Sequence, residues 1–500
     1  MSLTTLSNDY RIDALLGGTQ WSTSTGSPVA LSYSIPTTGA YWETGYGYYN
    51  EPRYGWTPLN NTQSNAFRLA LAQWSEVARI TFIPLTESGR YVGDIRVAFS
   101  PVVAIEKAGA WAYVPSDYGF LIEAGDVWLN PAYTDYSPGS WGFTVLIHEL
   151  GHALGLKHPF EDSDYSNTRL PGMEDSDQYS LMSYTNYTGA GYVYTSVGGR
   201  IYTDTVSPST PMLYDLLAIQ YLYGANTSTR TGDDTYTVSN TSGELKTLWD
   251  AGGTDTLDLS NQTLGQTINL NAGQFSSLGV KQTSYQGALS AASNNVAIAF
   301  GTEIENAIGG NGNDTFMGNA LNNLLDGGTG IDSVVFSGNR CAYTVSGNST
   351  GQLQVNNQGG GTDTLKNIES LQFSDTSLGI GRVPTHAGEV EKNPTEGSGN
   401  HINWFLLTLG AALTSDASVT YQTRNGTATA GNDYVATSGT ATIAAGSTYT
   451  IIGVEIIGDN VAEAEETFYL DISNPVGGGF GDAITLTAVR TIVNDDGLIA

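Results

Sequence analysis

The sequence predicts three consecutive folds: an α+β domain, a parallel β-roll/β-sandwich domain, and an all-β, immunoglobulin-like sandwich. Residues 1 to about 225 mix stretches of helical periodicity with short apolar runs. Residues 309–335 are three consecutive nine-residue units, GGNGNDTFM, GNALNNLLD and GGTGIDSVV, and a nine-residue period with GGxGxD turns marks a parallel β-roll. Beyond about 388, strands alternate with turns as they do in a sandwich. At 500 residues the chain exceeds one ordinary domain, and the expected division is 1–225, 226–383 and 384–500.

The elements follow in order. NNTQSNAFRLALAQWSEVA (60–78) places Phe67, Leu71, Trp74 and Val77 at helical spacing. ITFIPL, DIRVAFS and GAWAYVP read as short strands. WGFTVLIHELGHALGL is a second, strongly apolar helix with Gly155 as its stop, and TPMLYDLLAIQYLYG (210–224) is a third that ends in glycine. After Thr227 short β runs alternate with Gly/Asn/Asp turns. GRVPTHAG, with Pro384 and Gly388, reads as a linker. ASVTYQT, GTATIAAG and TFYLDISNP are sandwich strands.

Hydrophobic residues make up 40% of the chain and aromatics 10%, enough for real cores. Nineteen basic against 49 acidic residues leave a net charge of −30. Such a surface repels nucleic acid and anionic membranes, so neither is an expected partner. Part of the acid is solvated surface, and the local patterns assign a large share to calcium, which wants clustered carboxylate oxygens. Cys341 is the single cysteine, which excludes an internal disulfide, and it is read as a buried, inert thiol. MSLTTLSNDYRIDALLGG has neither a basic n-region nor an apolar h-region, so no Sec signal is expected there. No apolar run approaches a membrane span.

Three of the five histidines lie in HELGHALGLKH, His148 to His158. On a helix, positions i and i+4 share a face, so His148 and His152 converge on one ion. Glu149 lies close enough to reach a water on that ion without ligating it. Gly155 permits the positive φ that turns the chain and returns His158 to the same ion. Three neutral imidazoles suit zinc and leave a position open for water, whose pKa falls to about 7. Glu149 is then the general base. A bare HExxH can arise by chance, but here HExxHxxGxxH is complete and SLMSY follows at 180–184.

YRIDALLGGTQW, FTVLIHELGHALGLKHP, QYSLMSY, DLLAIQYLYGANTSTRTGDDTY, WDAGGTDTLDLS and IENAIGGNGND together resemble the metzincin zinc metalloproteases, and within them the serralysins, over roughly residues 10–340. The resemblance implies a secreted bacterial endopeptidase whose catalytic domain precedes a calcium-binding RTX β-roll. It implies zinc ligands His148, His152 and His158, Glu149 as base, Met182 as the methionine beneath the metal, and Tyr184 as oxyanion donor. It also implies that GAWAYVP (109–115) is the edge strand on which an extended substrate lies. Protein or peptide substrates and a proteinaceous inhibitor are the implied partners, and a monomer is the expected state.

In the roll, calcium is expected between the stacked turns 309–314 and 327–332. Its ligands would be Asp314 and Asp332 with the carbonyls of Gly310, Gly312, Gly328 and Gly330. The middle unit GNALNNLLD departs from GGxGxD, so the opposite side should bind weakly or not at all. By resemblance, Arg230 (backbone oxygen), Gly232, Asp250, Gly252, Gly253, Asp255 and Glu305 are further calcium positions. Asp234 and Glu303 are included, although serralysins carry threonine there.

Residues 388–497, with GNDY, GD, ExxETF and NDD, resemble a Calx-β domain. Matching positions for calcium are Glu396, Asp433, Asp459, Glu463, Glu466, Asp495 and Asp496. Serralysins usually leave through a type I exporter, and non-Sec, type I-like export is expected here, although DDGLIA shows no clear signal. A rival is a calcium-dependent adhesin or binding protein with a vestigial protease domain, against which the intact Glu149 and Tyr184 stand. A zymogen closed by a cysteine switch is excluded, because the segment before Tyr10 has no cysteine.

Overall fold

A computed structural model describes residues 2–116, 123–163, 165–347, 352–357, 360–381, 383–384, 386–391 and 393–496. The chain divides into two compact units, Met1–Asp255 with Asn271–Ile304, and Thr256–Leu270 with Glu305–Ala500.

The first unit is built on a five-stranded sheet in the order Ile80–Pro84, Val29–Ser34, Ile95–Phe99, Asp126–Leu129, Ala110–Ala112. Its first four strands run parallel, and Ala110–Ala112 joins antiparallel at the edge. The expected helices form at Asn61–Val77, Trp141–Ala153 and Leu213–Tyr223. Asn60 and Gln63 close a capping box at the start of the first. That helix buries Phe67, Ala70, Leu71, Trp74 and Val77, while the second buries Phe143, Leu146, Ile147 and Leu150 against the same core. The Trp74 indole donates to the Ile147 carbonyl at 3.1 Å, locking the two helices in register.

In the second unit, strands Asn306–Ile308 and Leu324–Asp326 pair in parallel, as do Thr315–Met317 and Ser333–Val335. Asn306 faces Leu324 and Thr315 faces Ser333, so like positions two nine-residue units apart are neighbours. This is the coil expected of the repeat. Leu257, Ala307, Leu325 and Leu365 point inward from one sheet, and Ile268, Phe316, Val334 and Leu371 from the other.

One sheet continues past the roll. From Ser370–Gln372 it runs through Ser377–Gly379 to His401–Thr408 and Tyr449–Ile456, strands of the sandwich. The opposing sandwich sheet has the order Ser438–Ile443, Ala417–Asn425, Glu466–Val476, Thr485–Ile492. Arg340 and Glu455 form a largely buried ion pair at 3.0 Å across the join. The Trp404 indole donates to the Ile380 carbonyl at 3.2 Å.

The expected linker at GRVPTHAG includes Arg382 and Thr385, which lie outside the described residues, as do the last four residues of DDGLIA. Cys341 corrects an expectation. It is free and exposed, because it sits in the short surface turn Arg340–Ala342 and not in a core strand. Among the described residues no helix is long and apolar enough to cross a membrane.

Candidate metal centre

The helix Trp141–Ala153 starts at Ser140, whose hydroxyl accepts the Phe143 N–H at 3.2 Å, and ends at Leu154. Gly155 follows with φ +107°, and a Cβ there would strike the Thr19 carbonyl, so only glycine makes this turn. The reversal brings the third imidazole back. His158 Nε2 lies 3.2 Å from His148 Nε2 and 3.0 Å from His152 Nε2.

The opposite ring nitrogens decide what this contact means. His148 Nδ1 faces the Leu181 carbonyl at 2.8 Å, and His152 Nδ1 faces the Leu156 carbonyl at 2.9 Å. A carbonyl only accepts, so each Nδ1 carries the proton and each Nε2 presents a bare lone pair. Burial holds His148 at about 4 and pushes His152 well below the usual imidazole range, so both are neutral near pH 7. Converging lone pairs of this kind repel unless a cation lies between them. The set fits zinc, whose bonds to imidazole nitrogen are about 2.0–2.1 Å.

His158 is held differently. Its ring stacks on Phe160 with centroids 5.1 Å apart and planes 5° from parallel. Its Nδ1 is 3.0 Å from Glu161 Oε2, but the carboxylate lies off the ring N–H direction, and burial lowers the His158 pKa despite that carboxylate, so the contact is not an ion pair of a charged ring.

Glu149 is buried, and among the described residues its Oε2 has no hydrogen-bond partner. Burial lifts its carboxyl to about 8. Tyr184 is 68% exposed at the mouth, with its ring 4.6 Å from His158 and 5.9 Å from His148. Partial burial and the charges of Glu149 and Glu161 raise its phenol to about 12, so it stays a hydrogen-bond donor.

Met182 is fully buried under the site. Gly151 makes room for it, since a Cβ there would lie 2.7 Å from Met182 Sδ. Two residues that sequence reasoning missed hold this region. Asp215 accepts from Ser180 Oγ at 2.6 Å and from the backbone N–H groups of Leu181 and Met212, each at 2.8 Å. Burial lifts it to about 7, and the three donors pull it back only in part. Its signal was a single acid inside an apolar helix, TPMLYDLLAIQYLYG. Lys157, the other, is a lone cation between the turn glycine and His158.

Of the expected calcium residues in the first unit, Asp234, Asp250 and Asp255 each place a carboxylate oxygen within 4.8 Å of the others. Gly252 and Gly253 carry the turn between them, Gly232 lies against Gly253, and the Arg230 carbonyl accepts the Ala251 N–H at 3.2 Å. Glu303 is exposed and is not one of that group. Glu305 belongs to the second unit, where its carbonyl accepts from Asn323 Nδ2.

In the roll, Asp314 accepts from the N–H groups of Gly310 at 2.8 Å and Gln266 at 2.6 Å. Asp332 Oδ1 accepts the Asp314 N–H at 2.7 Å, while its Oδ2 is buried without a partner among the described residues. Burial first, then the charges of Asp314, Glu369 and Asp326, raise Asp332 to about 7, despite the Asp314 N–H. Gly328 and Gly330 lie against the carbonyls of Gly310 and Gly312. An orphaned carboxylate oxygen beside stacked carbonyls fits calcium.

The opposite side is built differently. Asn323 stands where the repeat puts aspartate, and its amide donates to the Glu305 carbonyl and to Asn319 Oδ1, each at 2.9 Å. The next stacked turn on that side does bring a carboxylate: half-buried Asp363 accepts the Asn323 backbone N–H at 3.1 Å, and burial lifts it to about 6.

In the sandwich, Glu396, Asp459 and Asp496 form one carboxylate group, and Asp433, Glu463 and Glu466 a second. Asp495 joins neither and accepts the Gly397 N–H at 2.9 Å. Glu396 and Glu466 are each raised to about 7, first by burial and then by neighbouring carboxylates. Both groups fit a divalent cation.

Residues 49–168 match the family described as Matrixin, 216–376 the Peptidase M10 serralysin C-terminal family, and 391–496 the Calx-beta domain. Over 327 residues the chain is 33% identical to metalloprotease AprA of Pseudomonas entomophila, covering 59% of this chain and 60% of that protein. It is 38% identical over 286 residues to serralysin C of Dickeya chrysanthemi, covering 53% and 54%. The chain thus spans little more than half the length of these relatives. The apo Calx CBD1 domain is similar in structure at 30% identity, covering 21% of this chain and 89% of that one with a TM-score of 0.19.

Proposed function

We propose that this chain, which carries matrixin, serralysin C-terminal and Calx-β domains, is a secreted zinc endopeptidase of serralysin type acting on protein substrates. The supporting observation is the convergence of three Nε2 atoms, two with their protons committed elsewhere on the ring, beside a buried carboxylate with one oxygen unpartnered among the described residues.

His148, His152 and His158 would hold the metal. Zinc bound there supplies a Lewis acid that activates water and polarises the scissile carbonyl. Glu149 takes the proton of the attacking water and returns it to the leaving amine. A carboxyl whose proton affinity is raised by burial suits both transfers. Tyr184 donates to the oxygen that becomes negative. Met182 forms the floor. Ala110–Ala112 is the sheet edge along which an extended peptide would pair, recognised through its main chain and so with little sequence demand.

The functional division is 1–225 catalytic, 226–383 calcium-binding roll, and 384–500 Calx-β-like. Calcium in the roll and at the acidic groups is structural, neutralising stacked carboxylates that otherwise repel. The test is casein hydrolysis by the wild type and Glu149→Ala, with zinc content measured and a chelator control. The variant should lose about 10²–10⁴-fold in rate with zinc retained. Equal hydrolysis by the two proteins would overturn the mechanism. No hydrolysis by either, despite bound zinc, would favour a calcium-dependent binding protein.

A further inference from the structure

Lysine usually carries its ammonium to water along an extended stem. Lys157 does not. The residue is only 7% exposed, and among the described residues its Nζ forms no ion pair. It donates instead to main-chain carbonyls: Ala14 and Glu161 at 2.7 Å, and His158 and Thr168 at 3.3 Å. An ammonium has three protons, so the two longer contacts share one. The carbonyls come from the end of the short helix Tyr10–Asp13, from both sides of the turn after His158, and from the loop near Thr168.

Three further bonds tie the same segments. Lys157 N–H donates to the Leu15 carbonyl and Gly17 N–H to the Gly155 carbonyl, each at 2.8 Å, and Ser166 Oγ donates to the Asp13 carbonyl at 2.8 Å.

His158 needs such support more than its partners do. His148 and His152 stand on a hydrogen-bonded helix with their Nδ1 atoms anchored on carbonyls, whereas His158 lies beyond the helix. The carboxylate beside its Nδ1 is half exposed and off the N–H direction. Its position is therefore set by the backbone of residues 157–161, the stretch that the ammonium gathers.

We propose that Lys157 is the positioning residue of the third metal ligand: its buried ammonium draws four carbonyls together and so sets His158 against His148 and His152. The proposal rests on the zinc-hydrolase reading of the tripod. Without the ammonium, four carbonyl dipoles face one another, the loop relaxes outward, and the metal keeps two imidazoles of three.

The experiment uses the full chain and measures zinc affinity by chelator competition, the visible spectrum of the cobalt-substituted protein, and thermal unfolding without zinc. Lys157→Met should bind zinc about 10–100-fold more weakly, as loss of a ligand's support does, with a changed cobalt spectrum. Lys157→Gln, which keeps two donors, should lose less. In a His158→Ala background Lys157→Met should cost no further zinc affinity, because its effect passes through that ligand. Wild-type affinity in Lys157→Gln and Lys157→Met overturns the proposal, as does a loss that adds fully to that of His158→Ala. If Lys157→Met does not fold, a folded Lys157→Gln with wild-type zinc affinity and cobalt spectrum overturns it alone. Absence of zinc binding in the wild type would sink the tripod reading instead, so the two failures are distinct.

Discussion

Replacing Asp215 by alanine should loosen the floor of the metal site from a position that touches no imidazole. The carboxylate satisfies two buried backbone N–H groups, Leu181 and Met212, and one hydroxyl, Ser180. The hydroxyl can rotate to another acceptor, but the two amides cannot. Leaving a buried donor unsatisfied costs about 1–3 kcal/mol, so the pair sets an expected loss of about 2–6 kcal/mol. The effect should travel, because the peptide that gives its N–H to Asp215 belongs to Leu181, whose carbonyl anchors His148 Nδ1. Asp215→Asn keeps one acceptor and should fall between alanine and wild type. The assay is urea unfolding of the full chain in calcium, read on the transition that releases zinc, with zinc affinity measured separately. A shift worth under about 1 kcal/mol, or lower stability with zinc affinity intact, would refute the link from Asp215 through Leu181 to His148.

Three other outcomes are expected. Asp332, Glu396 and Glu466, each raised to about 7, hold protons more tightly folded than unfolded, so metal-free stability should fall as pH rises from about 4 to about 7. Melting without calcium should then occur at lower temperature at pH 8 than at pH 5, and saturating calcium should remove the difference; equal calcium-free melting at both pH values would contradict this. Asn323→Asp puts a carboxylate oxygen where the amide now donates to Glu305 and Asn319, beside Asp363, and should cost about 3 kcal/mol without calcium; calcium-free melting like the wild type's would show the amide ladder to be dispensable. Tyr184→Phe should lower kcat by about 10²-fold with zinc affinity unchanged, and unchanged kcat would remove the phenol from the chemistry.

Much of this was legible from pattern because the physics is local. Periodicity of 3.6 placed the helices Asn61–Val77 and Trp141–Ala153 to within a residue or so at their starts, and Asn60 and Ser140 mark those starts. HExxH is a statement about one helix face, and Gly155 about one backbone angle, so the imidazole tripod could be read from eleven residues. The nine-residue period likewise specified which strands of the roll are neighbours. Cys341 was misjudged because a thiol's burial depends on the surface its turn reaches, which composition does not carry.

Sequence by itself thus determined which three imidazoles converge and the class of each fold, since both rest on residue type at fixed local spacing. Only the tertiary structure decided what holds them. Lys157 meets Ala14 across 143 positions of chain, and Asp215 meets Ser180 across 35. The Asn323 amide meets the Glu305 carbonyl across 18 positions, and the roll's sheet runs on into the sandwich through Gly379 and His401. Each of these depends on a buried polar group finding a partner distant in sequence, and no local pattern encodes which partner folding will bring.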